Sequence, residues 1–396
     1  MTTAKPLRVG MVGYAFMGAA HSHAWRTAPR FFDLPLQPEL TAVAGRNAEG
    51  LRAAADKLGW ESVETDWRRL IERDDIDLID ICTPGNTHAE IAIAALEAGK
   101  HVLCEKPLAN SVEEAERMTM AAETAAKKGV MSMCGFSYRR TPALALARRF
   151  VEQGRLGDIR HVRAQYLQDW LSDANAPMTW RLDKGKSGSG SLGDIGAHSI
   201  DAAQWVTGQD ITGVSALLET FVTERPLAGE MVGLGGHGDA SGNAPRGKVT
   251  VDDAAIFSAK FDGAASAGAI GVFEATRYAL GRKNAMRLEV NGTKGSLAFD
   301  FEDMNVLNFY DAAESPDAGF RRIFVTEPEH PYVGNWWPTG HGLGYEHGFT
   351  HQVVDLVTAI GAGRQPEPSF ADALQVQRVL AAVEASAANS SQWQKV

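Results

Sequence analysis

The sequence predicts an α/β chain of two domains: a parallel sheet covered by helices over residues 1–140, and an α/β domain built on an antiparallel sheet over residues 141–396. Three observations lead there. A chain of 396 residues is two to three times the roughly 150 residues of a common domain. Up to Cys134, short apolar runs alternate with helical patterns, as in βαβ units. After Pro142, period-two runs take over.

In the first domain the apolar runs 7–12, 40–44, 76–82, 101–104 and 130–134 read as strands, and 17–28, 48–58, 88–98 and 112–126 as helices. Segment 29–39, with three prolines and Phe31-Phe32, reads as an inserted loop. In the second domain a helix at 143–153 and a strand at 159–167 lead into the flexible glycine-serine run 185–193. Runs 249–261, 264–274, 285–291 and 296–301 read as consecutive antiparallel strands, with Asp262-Gly263 as a hairpin turn. Segments 229–247 and 328–344 read as loops. Helices at 348–360 and 371–388 close the chain and are free to pack back on the first domain.

Composition narrows the function classes. The apolar fraction of 44% and charged fraction of 22% are those of a soluble globular protein. Acidic residues outnumber basic ones, 49 to 39, for a net charge of -10, so nucleic acid and anionic membranes are poor partners. Cys82, Cys104 and Cys134 lie in apolar runs without CxxC spacing, which argues for buried thiols in a reducing compartment. The N-terminus lacks an apolar stretch with a cleavage site, and no run approaches the ~18 apolar residues of a membrane span. A cytoplasmic location is expected.

Gly13-Tyr14-Ala15-Phe16-Met17-Gly18 joins the first strand to the first helix and matches GxGxxG with alanine second. Such a turn lets backbone approach a pyrophosphate, and the helix N-terminus offers it N–H groups. This predicts a Rossmann dinucleotide-binding fold, with Gly13, Ala15, Phe16 and Met17 at the cofactor. The second strand ends in Gly45-Arg46-Asn47, without the carboxylate that holds the ribose of NAD. Arg46 suits a 2′-phosphate, adenine stacking or a solvated helix start, so NAD(P)(H) is expected with a slight lean to NADP. Lys106 follows the fourth strand at its carboxyl end. Asp194 and His198, four apart, share one face in the first turns of a helix. An ammonium, a carboxylate and an imidazole near a nicotinamide are what alcohol oxidation needs; the structural alternatives are a surface turn, an N-cap and a packed histidine.

VGMVGYAFMG, CTPGNTHAEIAIAALEAGKHVLCEKPLA and GSLGDIGAHSID resemble, in order, the Gfo/Idh/MocA oxidoreductases, along nearly the whole chain. The EKP tripeptide and the DxxxH helix start are the specific motifs. The resemblance implies a Rossmann domain plus a C-terminal α/β domain with a large, mostly antiparallel sheet. It implies Lys106, Asp194 and His198 as the catalytic set, Thr83, Pro84, His88 and Glu105 along the cofactor, and a homodimer or homotetramer formed through the open sheet face. Where the family often has TPNxxH, this chain has Gly85 followed by Asn86, which is carried as the candidate contact.

Tryptophans among amide and guanidinium groups suit a sugar, aromatic faces covering C–H surfaces while polar groups meet hydroxyls. Gln168, Trp170, Trp180 and Arg181, with Tyr138 and Arg139 at the domain join, are therefore candidate substrate contacts; packing anchors are the plainer alternative for both tryptophans. The YLQDW and TWR segments resemble the branch with levoglucosan dehydrogenase and related glycoside or anhydrosugar dehydrogenases. No metal is expected, because Gly348 stands where a zinc helix needs glutamate after His347, and His21 and His23 are two apart. The leading expectation is an NAD(P)-dependent dehydrogenase of a sugar, cyclitol or glycoside. A redox-neutral glycoside hydrolase of the same fold and a non-catalytic cofactor-binding sensor are the alternatives.

Overall fold

A computed structural model of the chain describes residues 5–227, 229–232, 235–238, 244–262 and 268–396. These form two compact units. One comprises the residues up to Arg140 together with Leu343–Leu374, and the other comprises Thr141–Gly342 and Gln375–Val396.

The first unit runs β1 (Lys5–Val12), α1 (Phe16–Phe31), β2 (Leu36–Ala44), α2 (Ala48–Leu58), β3 (Ser62–Glu64), α3 (Trp67–Glu72), β4 (Leu78–Ile81), α4 (His88–Glu97), β5 (His101–Cys104), α5 (Val112–Ala126) and β6 (Ser132–Cys134). Its strands pair in parallel in the order β3-β2-β1-β4-β5-β6. The order reverses between β1 and β4, which is where open α/β sheets bind ligands beyond their carboxyl ends. The segment read as an inserted loop is regular except for residues 32–35. Pro29 lies in the last turn of α1, and Pro38 lies in β2 outside the Ala42–Ala44 stretch that β3 pairs. A proline is tolerated there because the strand is an edge at that point. β3 and α3, three and six residues long, are too short to show a period.

The second unit contains α6 (Pro142–Glu152), β7 (Ile159–Leu167), α7 (Lys184–Ser187), α8 (Ala197–Thr207), β8 (Ile211–Glu219), β9 (Glu224–Pro226), β10 (Gly229–Val232), β11 (Gly235–Gly238), β12 (Arg246–Lys248), β13 (Ala254–Phe261), β14 (Ile270–Thr276), β15 (Ala285–Gly292), β16 (Gly295–Asp300), β17 (Val306–Asp311) and β18 (Arg321–Phe324). Two helices, α9 (Tyr345–Gly361) and α10 (Phe370–Ala388), and the short β19 (Gln394–Lys395) end the chain. Among the described residues the large sheet has the order β18-β17-β16-β15-β7-β14-β13-β8-β19. It is antiparallel except where β7 runs parallel to β14. β14 and β15, expected as neighbours, are separated by β7, because a period-two pattern reports which face is buried and not which strand is the partner. Segment 229–247 is not all loop: β10 pairs with β11, and β12 with β9. Gly263 of the expected turn and residues 264–267 of the expected strand lie outside the described residues.

α8 packs on β7 and β15, and α6 on β17. Along β13, Ala255, Phe257, Ala259 and Phe261 turn inward, with Phe257 stacked on Phe273 at 4.6 Å.

Of the two closing helices that the sequence left free to pack back on the first domain, α9 belongs to the first unit. Its Phe349, Val353, Leu356 and Val357, spaced as one helical stripe, join the core of Leu7, Val9, Trp25, Leu51 and Leu78. Leu356→Ala should therefore lower the stability of the first unit by about 2–5 kcal/mol, like Leu78→Ala in β4. Urea unfolding of the two variants checks this; a much smaller loss for Leu356→Ala would place α9 outside that core.

Candidate active site

Beyond β1, Gly13 has φ +98°, a left-handed conformation that favours glycine. A Cβ there would lie 2.7 Å from the Cys82 carbonyl at the end of β4, and one at Gly18 would lie 2.3 Å from the Gly13 carbonyl. The turn is thus drawn against β4 and under α1, and Ala15 caps α1 without a side-chain hydrogen bond. A glycine turn with no room for a Cβ at Gly13, in front of a helix N-terminus, fits a dinucleotide pyrophosphate. Phe16 is exposed and stacks on Tyr345 at 6.5 Å; Met17 is half-buried. Gly45 lies under the Tyr14 ring, which a Cβ would meet at 2.3 Å. Arg46 is exposed, and Asn47 caps α2 through Gly50.

After β4, Thr83 accepts from the Thr87 hydroxyl at 2.7 Å, with Pro84 half-buried and Asn86 exposed. Gly85 lies close to the Asn110 side chain, whose Oδ1 a Cβ would meet at 2.4 Å. His88 is buried, with Nε2 2.8 Å from the Thr83 carbonyl and Nδ1 2.9 Å from the Pro107 carbonyl. Burial lowers its pKa. The ring thus ties the turn after β4 to the turn after β5 that carries Lys106. Glu105 is buried; its Oε2 accepts the Lys106 backbone N–H at 3.3 Å, and its Oε1 meets His21. Tyr138 and Arg139 are buried in the turn Ser137–Arg140 of this unit.

In the second unit, the glycine-serine run is ordered by Asp252. Its carboxylate accepts from Gly190 N at 2.7 Å, Ser191 Oγ at 2.7 Å and Leu192 N at 2.8 Å. A Cβ at Gly190 would lie 1.8 Å from the Asp252 carbonyl. The pinned segment opens into a π-helical turn, Leu192–Gly196, that carries Asp194 and runs into α8, where His198 is buried. The start expected as plain α-helix is therefore a wider turn.

A chain of contacts runs from Asp194 through two substrate candidates to His198. The fully buried Arg277 donates to Asp194 Oδ2 at 3.3 Å and lies 5.5 Å from the Trp170 ring centroid. Trp170 Nε1 donates to Gln168 Oε1 at 2.8 Å, and Gln168 Nε2 donates to Asn284 Oδ1 at 2.9 Å. Tyr166 donates to the same oxygen at 2.6 Å, and its ring is 5.9 Å from that of His198. Trp170 also packs on the cluster of Leu171, Leu182, Val249 and Val251, so it is an anchor as well. Trp180 and Arg181 stand apart as a stacked, partly exposed pair with 4.5 Å between guanidinium and ring. Sequence reading missed Asp252, Arg277 and Asn284, since nothing in their local patterns points to residues some 60 to 120 positions away.

Among the described residues, His21, Asp80 and Cys82 bring metal-ligand atoms within 4.8 Å of one another. Their contacts are hydrogen bonds, with His21, Trp25 and the Cys82 thiol all directed at Asp80. Of the late histidines, His351 is buried against the Arg140 carbonyl, its pKa lowered by burial to about 3, and His347 accepts from Gly344 N. Among the described residues no helix is long and apolar enough to cross a membrane.

Residues 7–136 match the oxidoreductase family with an NAD-binding Rossmann fold, and residues 144–298 match the GFO/IDH/MocA C-terminal domain. The chain is 42% identical over 393 residues to levoglucosan dehydrogenase of Pseudarthrobacter phenanthrenivorans, covering 97% of each. An oxidoreductase domain protein from Kribbella flavida superimposes with a TM-score of 0.92 at 65% identity, over 99% of each chain. A levoglucosan dehydrogenase in complex with NADH and levoglucosan does so with 0.89 at 41% identity, again over 99% of each. The lean toward NADP gains no support from that relative.

Asp252→Ala would leave two backbone N–H groups without their buried acceptor, at about 1–3 kcal/mol each, while the Ser191 hydroxyl keeps the Ala275 carbonyl. The expected destabilisation is about 3–5 kcal/mol by urea unfolding; a loss below about 1 kcal/mol would mean that the turn is held by other contacts.

Proposed function

Because the chain belongs to the Gfo/Idh/MocA family of NAD-binding oxidoreductases, we propose that it oxidises a secondary ring alcohol of a cyclic sugar, anhydrosugars included, with NAD as the dinucleotide. The chain of contacts that ties Asp194 and His198 to Gln168 and Trp170 carries this reading. It joins a carboxylate and an imidazole to an aromatic face and an amide suited to a sugar ring. The identity to levoglucosan dehydrogenase along 97% of the chain supports the substrate class, and a relative holding NADH supports the cofactor.

In this reading Gly13, Ala15, Phe16, Met17 and Gly45 hold the dinucleotide, with Thr83, Pro84 and Asn86 beside it. Bound NAD supplies the hydride acceptor. The work of the chain is done on the proton and the charge: His198 takes the hydroxyl proton, Lys106 steadies the developing alkoxide, and Asp194, fixed by Arg277, orients the imidazole and the hydroxyl. His88 and Glu105 act through the turns they fasten. Trp180 and Arg181, with Tyr138 and Arg139, are assigned to the outer part of the sugar.

A panel of levoglucosan, glucosides and inositols, assayed with NAD and NADP in parallel, tests this. Net NADH formation on a cyclic sugar is expected, with Lys106→Ala and His198→Ala each reducing kcat by about 100-fold or more while NAD still binds. Full turnover by Lys106→Ala rejects the assignment, and sugar release without NADH selects the redox-neutral hydrolase instead.

A homo-oligomer is part of the same proposal. Leu217, Ile256, Ile270 and Val272 are each more than half exposed on the outward face of paired strands β8, β13 and β14. Contiguous apolar surface of this kind marks an interaction site. Light scattering is expected to give a dimer or tetramer, and Ile256→Glu to give a smaller species; a wild-type monomer removes this part.

A further inference from the structure

Near the Lys106 turn, the first unit buries three ionisable side chains in a row. His21 of α1 is 1% exposed and Asp80 of β4 fully buried, with Glu105 just beyond β5. His21 Nδ1 lies 2.9 and 3.0 Å from the two Asp80 oxygens, and Nε2 lies 3.0 Å from Glu105 Oε1. A neutral imidazole has one N–H and would turn a lone pair toward one of these carboxylates, whereas an imidazolium donates to both. Asp80 is further supplied by Trp25 Nε1 at 2.7 Å and by the Cys82 thiol at 3.6 Å, a donor set suited to an ionised carboxylate. Glu105 has little freedom, since a Cβ at Gly135 would already be 2.7 Å from its Oε1. Its other oxygen receives the Lys106 backbone N–H.

We propose that His21 is a positioning residue for Lys106: as an imidazolium bridging Asp80 and Glu105, it fixes the carboxylate that holds the Lys106 backbone N–H. The groups facing the ring are Asp80 from β4 and Cys82 just beyond it, Glu105 after β5, Trp25 from α1 itself and the Phe349 ring of α9 at 5.6 Å. Burial opposes charge on His21 and the adjacent Asp80 carboxylate favours it, the net direction being a pKa well above the ordinary value. Burial pushes the Cys82 thiol up to about 12, so it stays a neutral donor. A raised pKa in the folded state contributes stability that is fully present below about pH 6.5 and is lost as pH rises through the folded value. The three groups together carry one net negative charge, and losing His21 leaves two buried carboxylates without their shared cation.

The effect on turnover rests on the role proposed above for Lys106, whereas the charge state of His21 can be read without it. Ring ¹⁵N NMR of the cofactor-free wild type at pH 8 is expected to show two protonated nitrogens for His21; a single protonated nitrogen overturns the proposal. His21→Gln is expected to lower kcat about 10- to 100-fold with the sugar KM within about twofold, and with a melting-temperature deficit that shrinks as pH rises. Asp80→Asn, which leaves the histidine in place with half its counter-charge, serves if His21→Gln does not fold, and should lower kcat in the same sense. Unchanged kcat in a folded variant, where Lys106→Ala is inactive, overturns the positioning role alone. Full activity in Lys106→Ala overturns the functional reading instead.

Discussion

The groups of the first unit are placed by how closely the turn after β1 approaches the end of β4. At Gly13 the separation leaves no room for a Cβ beside the Cys82 carbonyl, and at Gly18 none beside Gly13 itself. This contact sets where α1 begins and how its N-terminus is directed. It also aims the side of α1 that carries His21 and Trp25 at Asp80 in β4. From Asp80 the connection continues through His21 to Glu105 and the turn of Lys106. A backbone contact made possible by two glycines thus reaches a lysine that follows β5.

The second unit uses the same device. Gly190 lies against the Asp252 backbone with no space for a side chain, and the Asp252 carboxylate gathers the N–H and hydroxyl groups of the next two residues. The chain then enters a π-helical turn rather than an α-helix, and Asp194 falls within reach of the buried Arg277. In both units a buried basic side chain stands next to a carboxylate: His21 beside Glu105, and Arg277 beside Asp194.

The βαβ series and its strand-to-helix turns were legible because amphipathic periods are local. So were the glycine turn and the positions of the EKP and DxxxH segments, each a contiguous string. The route of the large sheet was not legible. β14 and β15 follow one another in the chain, yet each pairs with β7, and alternation of buried residues names no partner. α9 reads as an ordinary amphipathic helix, and only packing assigns its Phe349 and Leu356 to the core around β1 and β4. His21 looked unremarkable beside His23, because its partners Asp80 and Glu105 lie 59 and 84 positions away.

The sequence by itself determined the class: a dinucleotide-binding first unit, a mixed second unit and residue types able to move a proton from an alcohol. Backbone propensity, period and short motifs are properties of a few neighbouring residues and need no fold to be read. Tertiary structure decided which side chains are fastened and by what, from the Asp80–His21–Glu105 row to the chain of contacts through Arg277, Trp170, Gln168, Asn284 and Tyr166. Those contacts join residues whose separation along the chain carries no information. They form only once sheets and helices have packed, and burial then makes each charge depend on the partner the fold supplies.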